Sequence, residues 1–190
     1  MRTLNILLRL FFAMTILTGL FYPAVVTVIA QLFFEEKADG SLISHCGVLT
    51  GSKLIGQVFD NPMWFTSRPS ANNYNPLSSG GSNLGPTNKA LKKLVNERRN
   101  SFIQYNILND STEIPAEMLN ASASGLDPHI SPEAALLQIE RISKARGFDE
   151  SEKSKLYDLV VKFTESSQFH LFGEERINVF MLNLALDSIK

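Results

Sequence analysis

The chain has 190 residues, with 18 Lys and Arg against 19 Asp and Glu and a formal net charge of −1. That length holds about one ordinary domain, and the charge balance offers no basic stripe for nucleic acid. A lone cysteine, Cys46, excludes an intramolecular disulfide framework.

The first element in chain order is an apolar run. Between Arg9 and Glu35 lie 25 uncharged residues, 19 of them apolar. As a helix they extend about 37 Å, enough to cross a hydrocarbon core of roughly 30 Å. Residues 1–9 then form a short basic N-terminus carrying Arg2 and Arg9, 10–34 a transmembrane helix, and 35–190 the remainder. The arginine bias places the N-terminus in the cytoplasm and the remainder outside it. Pro23 frees a backbone carbonyl mid-run, and Gly19 with Thr15, Thr18 and Thr27 offers small or hydroxyl surface to a partner helix or to lipid. A signal peptide cleaved after Ala30 is the alternative; the apolar run continuing through Phe34 argues for a retained anchor.

Short strands follow, at Leu42–Ile43, Val48–Leu49 and Leu54–Ile55, with a break at residues 44–47. Residues 61–86 show no periodicity and are too long for a plain connector. Trp64, Phe65 and Tyr74 give this stretch area worth burying, so an ordered, surface-draped loop is expected.

Helical signals take over beyond it. Thr87 caps a helix through Arg99 with Leu91, Leu94 and Val95 as its stripe. Ser131 before Pro132 opens another, with Ala135, Leu136, Ile139 and Ile142 inward, and Gly147 ends it. Asp149 and Glu152 form an acidic capping box ahead of Leu156, Leu159, Val160 and Phe163. Arg176–Ile189 puts Ile177, Phe180, Met181 and Leu184 on one face. The class is α+β: a single N-terminal transmembrane helix followed by one mixed α/β soluble domain.

Catalytic patterns are weak. Gly47 and Gly51-Ser52-Lys53 miss the spacing of a Walker loop, and no G-x-S-x-G occurs. His45, His129 and His170 show no metal-ligand spacing, so no metal site is assigned. Ser78 to Asn83 could present backbone donors to an anion or simply turn the chain. Arg68, beside Pro69, suits a bidentate contact to a carboxylate within the domain or on another chain. Asp127-Pro128-His129 reads as a turn ahead of Ser131, and an Asp–His pair also invites a catalytic reading.

Together these residues resemble the KdpC family, the C subunit of the bacterial Kdp-type potassium-transporting ATPase. The resemblance runs in order through Tyr22-Pro23, Leu54-Ile55-Gly56-Gln57, Ser67-Arg68-Pro69-Ser70-Ala71 and Tyr74-Asn75. It continues through Ser79-Gly80-Gly81-Ser82-Asn83, Gly125-Leu126-Asp127-Pro128-His129-Ile130-Ser131-Pro132 and Arg176-Ile177-Asn178-Val179 to Leu182-Asn183-Leu184-Ala185-Leu186-Asp187. It implies a non-catalytic, membrane-anchored accessory subunit of a high-affinity potassium uptake complex. The implied partners are a potassium channel-like subunit, a P-type ATPase subunit and a very small transmembrane peptide. The subunit itself binds no cofactor independently; ATP is used by the partner ATPase subunit, whose ATP binding the family's C subunit is thought to promote. A domain outside the cytoplasm, however, lies on the wrong side of the membrane to touch that nucleotide.

Partner contacts are accordingly expected from Gly19, Pro23, Trp64, Arg68, Tyr74, Ser79, Gly80, Gly81, Ser82 and Asn83. Structural turns are expected at Asp127, Pro128, His129, Ser131, Pro132 and Gly147. Two other functions compete with the accessory role. One is a signal-anchored periplasmic hydrolase using Asp127, His129 and a loop serine; the other is an exported ligand-binding domain.

Overall fold

Leu4, Leu7 and Leu8 carry helix-favouring side chains, and no glycine or proline interrupts residues 2–18. In the computed structural model, which describes residues 2–45, 47–169 and 171–189, the first helix accordingly begins at Arg2. This is earlier than the apolar run alone predicts. Helix α1 (Arg2–Ile16) passes through a π-helical turn (Leu17–Phe21) into α2 (Tyr22–Phe33). Together they make a 32-residue span, Arg2–Phe33, whose most apolar 18-residue stretch has a mean hydropathy of 1.9, with no buried residue. Pro23 does not end the helix, because it sits in the first turn of α2, where a missing amide is tolerated.

The chain divides into two units, Met1–Ser52 and Lys53–Lys190. The boundary falls beyond a hairpin. A short helix, α3 (Glu35–Ala38), precedes strands β1 (Leu42–His45) and β2 (Val48–Ser52), which pair antiparallel with a register shift between Ile43 and Ser44. The bulge lets β1 continue through the expected break. Leu54–Ile55 forms a turn, not the third strand expected. Cys46 and His170 lie outside the described residues.

The second unit is built on helices. Its first, α4 (Lys89–Asn106), is capped by the Asn88 side chain rather than Thr87, and it runs seven residues past Arg99. The extension carries its buried residues, Phe102, Ile103 and Asn106; Leu91, Leu94 and Val95 are only half-buried. Helices α5 (Pro132–Leu136) and α6 (Ile139–Arg146) replace the single helix expected there. The interruption at Leu137–Gln138 rotates Leu136 out to 41% exposure, while Ala135, Ile139 and Ile142 are fully buried.

Helix α7 (Glu150–Phe163) starts on the complete Asp149–Glu152 capping box, with Leu156 and Val160 buried. Strands β3 (His129–Ile130) and β4 (Ile177–Asn178) pair antiparallel, two residues each, and α8 (Val179–Leu186) follows directly. Ile177 therefore belongs to a strand. The buried side of α8 is Val179, Phe180, Leu182, Asn183 and Leu186, whereas Met181 and Leu184 are half-buried. A helix so apolar has no clear polar face, so its stripe cannot be read from periodicity.

Residues 61–86 do not merely drape the surface. Phe65 is fully buried among Ile139, Ile142, Leu182 and Leu186 in the core cluster. Its backbone is held from both sides by amide side chains. Asn183 Oδ1 accepts from Phe65 N–H at 2.8 Å, and Asn183 Nδ2 donates to Phe65 O at 2.8 Å. Gln138 repeats the arrangement on Thr66, accepting from its N–H at 2.8 Å and donating to its carbonyl at 3.3 Å. Helix α8 and the turn between α5 and α6 thus offer an extended segment the bonds that a strand would otherwise supply.

Candidate functional site

The polar residues singled out in the sequence converge where residues 54–81 meet residues 122–131. Arg68 Nη1 donates to Asp127 Oδ2 at 2.8 Å, giving the guanidinium a partner inside the chain. The other carboxylate oxygen accepts from the His129 backbone N–H at 3.0 Å and faces His129 Nδ1 at 3.3 Å. This is an Asx-type turn with a cation on its far side. Burial would raise the Asp127 pKa, but the His129 hydrogen bonds and the Arg68 guanidinium outweigh it and hold the carboxyl at about 2.

Tyr74 lies over the same corner. Its hydroxyl donates to the Arg68 carbonyl, and burial pushes its pKa up to about 12. Gly56 passes beneath, its N–H donating to Leu126 O at 2.8 Å. A Cβ on Gly56 would lie 2.6 Å from the Asp127 carbonyl oxygen and 2.7 Å from the Tyr74 ring. Ser70 and Asn72 tie the loop together: the Ser70 hydroxyl reaches Asn72 Oδ1 and the Gly125 carbonyl, and Asn72 Nδ2 donates to Ser78 O at 2.6 Å. Asn73 and Tyr74 are held at φ +52° and +57° within this web. Leu77, on the turn above, is 95% exposed.

The glycine-serine loop runs along residues 122–126. Gly80 N–H and the Ser79 hydroxyl both donate to the Ser124 carbonyl, at 2.8 and 3.0 Å. Gly81 packs against Ala123, and Ser82 and Asn83 are exposed, Asn83 at φ +53°. Two of the loop's donors are therefore committed to its own neighbour.

Pro128 is buried and its carbonyl accepts from Val179 N–H at 2.9 Å; Ser131 caps α5 ahead of Pro132; Gly147, at φ +69°, follows α6. Trp64 is not part of this cluster. The Arg146 guanidinium stacks over it at 4.5 Å while donating to Met63 O at 2.9 Å. Gly19 and Pro23 belong to the first unit.

Sequence reading named Gly56 and Gly125 only as members of motifs, without a role, and missed Asn72, which lies between two of the motifs it did select. It also missed Arg141, buried at 3% exposure on neutral partners: Asn106 Oδ1, Gln138 Oε1, the Pro62 carbonyl and the Tyr105 ring. Burial lowers its pKa.

Chemically, the cluster binds its own loops. Asp127 and His129 face each other and Arg68, while Ser67, Ser70 and Ser79 donate to carbonyl or amide oxygens. That set holds a surface in shape and leaves no serine activated by His129. Among the described residues, no group of three or more His, Cys, Asp or Glu is placed to hold a metal ion.

Because Asp127 titrates below the ordinary carboxylate range, it stabilises the fold above about pH 4, and that contribution disappears as pH falls through about 2. Replacing Asp127 with asparagine is expected to cost about 1–2 kcal/mol at pH 7, with the gap to the parent closing toward pH 2. Denaturant titrations at several pH values, read by the single tryptophan Trp64, check this; a gap unchanged from pH 7 to pH 2 refutes it.

An N-terminal helix long and apolar enough to cross a membrane, ahead of a unit whose polar cluster braces its own loops, is the architecture of a single-pass membrane-anchored protein. A family profile described as KdpC, the c chain of the K+-transporting ATPase, matches residues 4–188, so the chain belongs to the KdpC family. Its relatives include the potassium-transporting ATPase KdpC subunit of Geobacter sulfurreducens, 51% identical over 179 residues and covering 92% of each chain. The KdpC subunit of Paraburkholderia phytofirmans is 44% identical over 187 residues, 97% of this chain and 95% of that one. That of Geotalea uraniireducens is 48% identical over 183 residues, 94% of each. The chain is thus a non-enzymatic accessory subunit of a Kdp-type potassium-transporting ATPase complex, a single-pass inner-membrane protein.

Proposed function

We propose that the chain stabilises the complex by joining the channel-like and P-type ATPase subunits through its span and its second unit, with the very small transmembrane subunit alongside. The N-terminus is cytoplasmic, and residues 35–190 are extracytoplasmic. Arg2 and Arg9 support that orientation. In this arrangement ATP is used by the ATPase subunit across the membrane, beyond reach of Ser79–Asn83.

The observation that carries the reading is the internally braced loop. Residues 68–83 are fixed by Arg68–Asp127, Tyr74, Ser70 and Asn72, while Leu77, Ser82 and Asn83 stay exposed. A surface held in one conformation before contact loses little entropy on docking. Arg68 and Tyr74 act here by shaping that surface, and Ser79, Gly80, Gly81, Ser82 and Asn83 form its edge.

A cysteine at position 82, in a Cys46→Ser background, tests orientation and contact together. A membrane-impermeant thiol reagent should label it in intact cells expressing this chain alone, and co-expressed partner subunits should reduce labelling several-fold. Labelling only after lysis overturns the orientation. Labelling that partners leave unchanged removes this loop from the contact surface.

A further inference from the structure

The π turn and Pro23 together leave the middle of the membrane span short of hydrogen-bond donors. The Tyr22 N–H donates to Leu17 O, five residues back. Pro23 has no N–H. Phe21 is the N-cap of α2, the position whose carbonyl accepts the first bond of that helix. Three carbonyls lie between, on Thr18, Gly19 and Leu20. Of the amides that could reach them, only that of Ala24 remains, so at least two lack a main-chain donor of their own.

Nearby hydroxyls do not fill the gap. Thr18 donates to Met14 O at 2.7 Å, Thr15 to Phe11 O at 2.8 Å and Thr27 to Pro23 O at 2.8 Å. Gly19 lies ten residues beyond Arg9 and sixteen before Glu35, about 15 and 24 Å along the axis. That depth is hydrocarbon, where unserved carbonyls are costly, bulk water is absent and acyl chains carry no donor. A Cβ added to Gly19 would meet nothing within 4 Å, so a neighbour can approach the backbone closely.

We propose that the Thr18–Leu20 carbonyls accept a hydrogen bond from a polar side chain on a transmembrane helix of another subunit of the complex. The inference rests on the accessory-subunit reading and adds the chemistry of the contact: an acceptor notch on this helix, a donor side chain on the partner. A second copy of this chain is a poorer occupant. Its threonine hydroxyls near this depth already donate within their own helix, leaving the Tyr22 phenol as its nearby donor.

The test uses the full chain, joined at Cys46 from a synthetic 1–45 segment and an expressed remainder, with a ¹³C=¹⁸O carbonyl at position 18, 19 or 20. Isotope-edited infrared spectra are compared for the chain alone in dilute lipid, the chain alone at high density, and the purified complex. At least one labelled band should move to lower wavenumber only in the complex. In a Pro23→Ala chain, which regains the amide, that band should already be low before assembly. Gly19→Leu should abolish the assembly shift and lower recovery of the complex several-fold. Co-purification with no band shift overturns the inference and leaves the accessory role standing. Failure of the parent chain to co-purify overturns both. A shift in the chain alone at high density assigns the notch to a second copy and likewise overturns the proposal.

Discussion

Replacing Asn183 with leucine is expected to destabilise the second unit by about 3–5 kcal/mol, although leucine is apolar and suits the core. Asn183 is 2% exposed and makes both hydrogen bonds of the Phe65 backbone, each at 2.8 Å. Leucine removes the donor and the acceptor at once and leaves a buried N–H and a buried C=O unserved. Each such group costs roughly 1–3 kcal/mol. Phe65 itself is fully buried, so relieving the penalty by letting water reach its backbone exposes the ring instead. Denaturant unfolding of the full chain in detergent, followed by Trp64 next to the affected residue, measures the loss. A change below about 1 kcal/mol would mean that the amide clamp contributes little beyond an ordinary solvated bond.

That clamp also explains which parts of the fold were legible in the sequence. Helix starts were readable where a side chain closes a local ring: Asp149 with Glu152, and Ser131 ahead of Pro132, act within three or four residues. The apolar run was readable because a bilayer demands length and composition alone. Long-range pairing was not. Phe65 meets Asn183 118 residues later, and β3 meets β4 over two residues each, too short for any period to register. Gln138 and Asn183 look like breaks in apolar stripes, and their partners are backbone groups, which carry no sequence signal.

The candidate cluster was legible in part for the same reason. Arg68 and Asp127 are charged residues in unusual settings and drew notice, but only the fold brings them to 2.8 Å. The Asp127–His129 turn is local and was readable as such. Gly56 was visible only as one member of a motif, because the need for glycine there comes from Asp127 and Tyr74, remote in sequence.

Gly56→Ala is therefore expected to cost about 2–3 kcal/mol, more than alanine at any other glycine of the cluster except Gly125. Its Cβ would sit 2.6 Å from the Asp127 carbonyl oxygen, a backbone atom fixed by the adjacent Gly56–Leu126 hydrogen bond. The second close neighbour, the Tyr74 ring at 2.7 Å, can yield only by losing its hydroxyl bond to Arg68 O. Either response disturbs the Arg68–Asp127 corner, so recovery of the assembled complex should fall along with stability. Two substitutions calibrate the effect. Gly81→Ala brings a Cβ to 3.3 Å from Ala123 O and should cost well under half as much, while Gly80→Ala meets nothing within 4 Å and should leave folding unchanged. Stability read by Trp64 and complex recovered by co-purification should rank the three in that order. If Gly80→Ala folds normally yet lowers recovery, the loop backbone itself touches a partner. If Gly56→Ala folds and assembles like the parent, the close approach of residues 56, 74 and 127 does not hold the docking surface in shape.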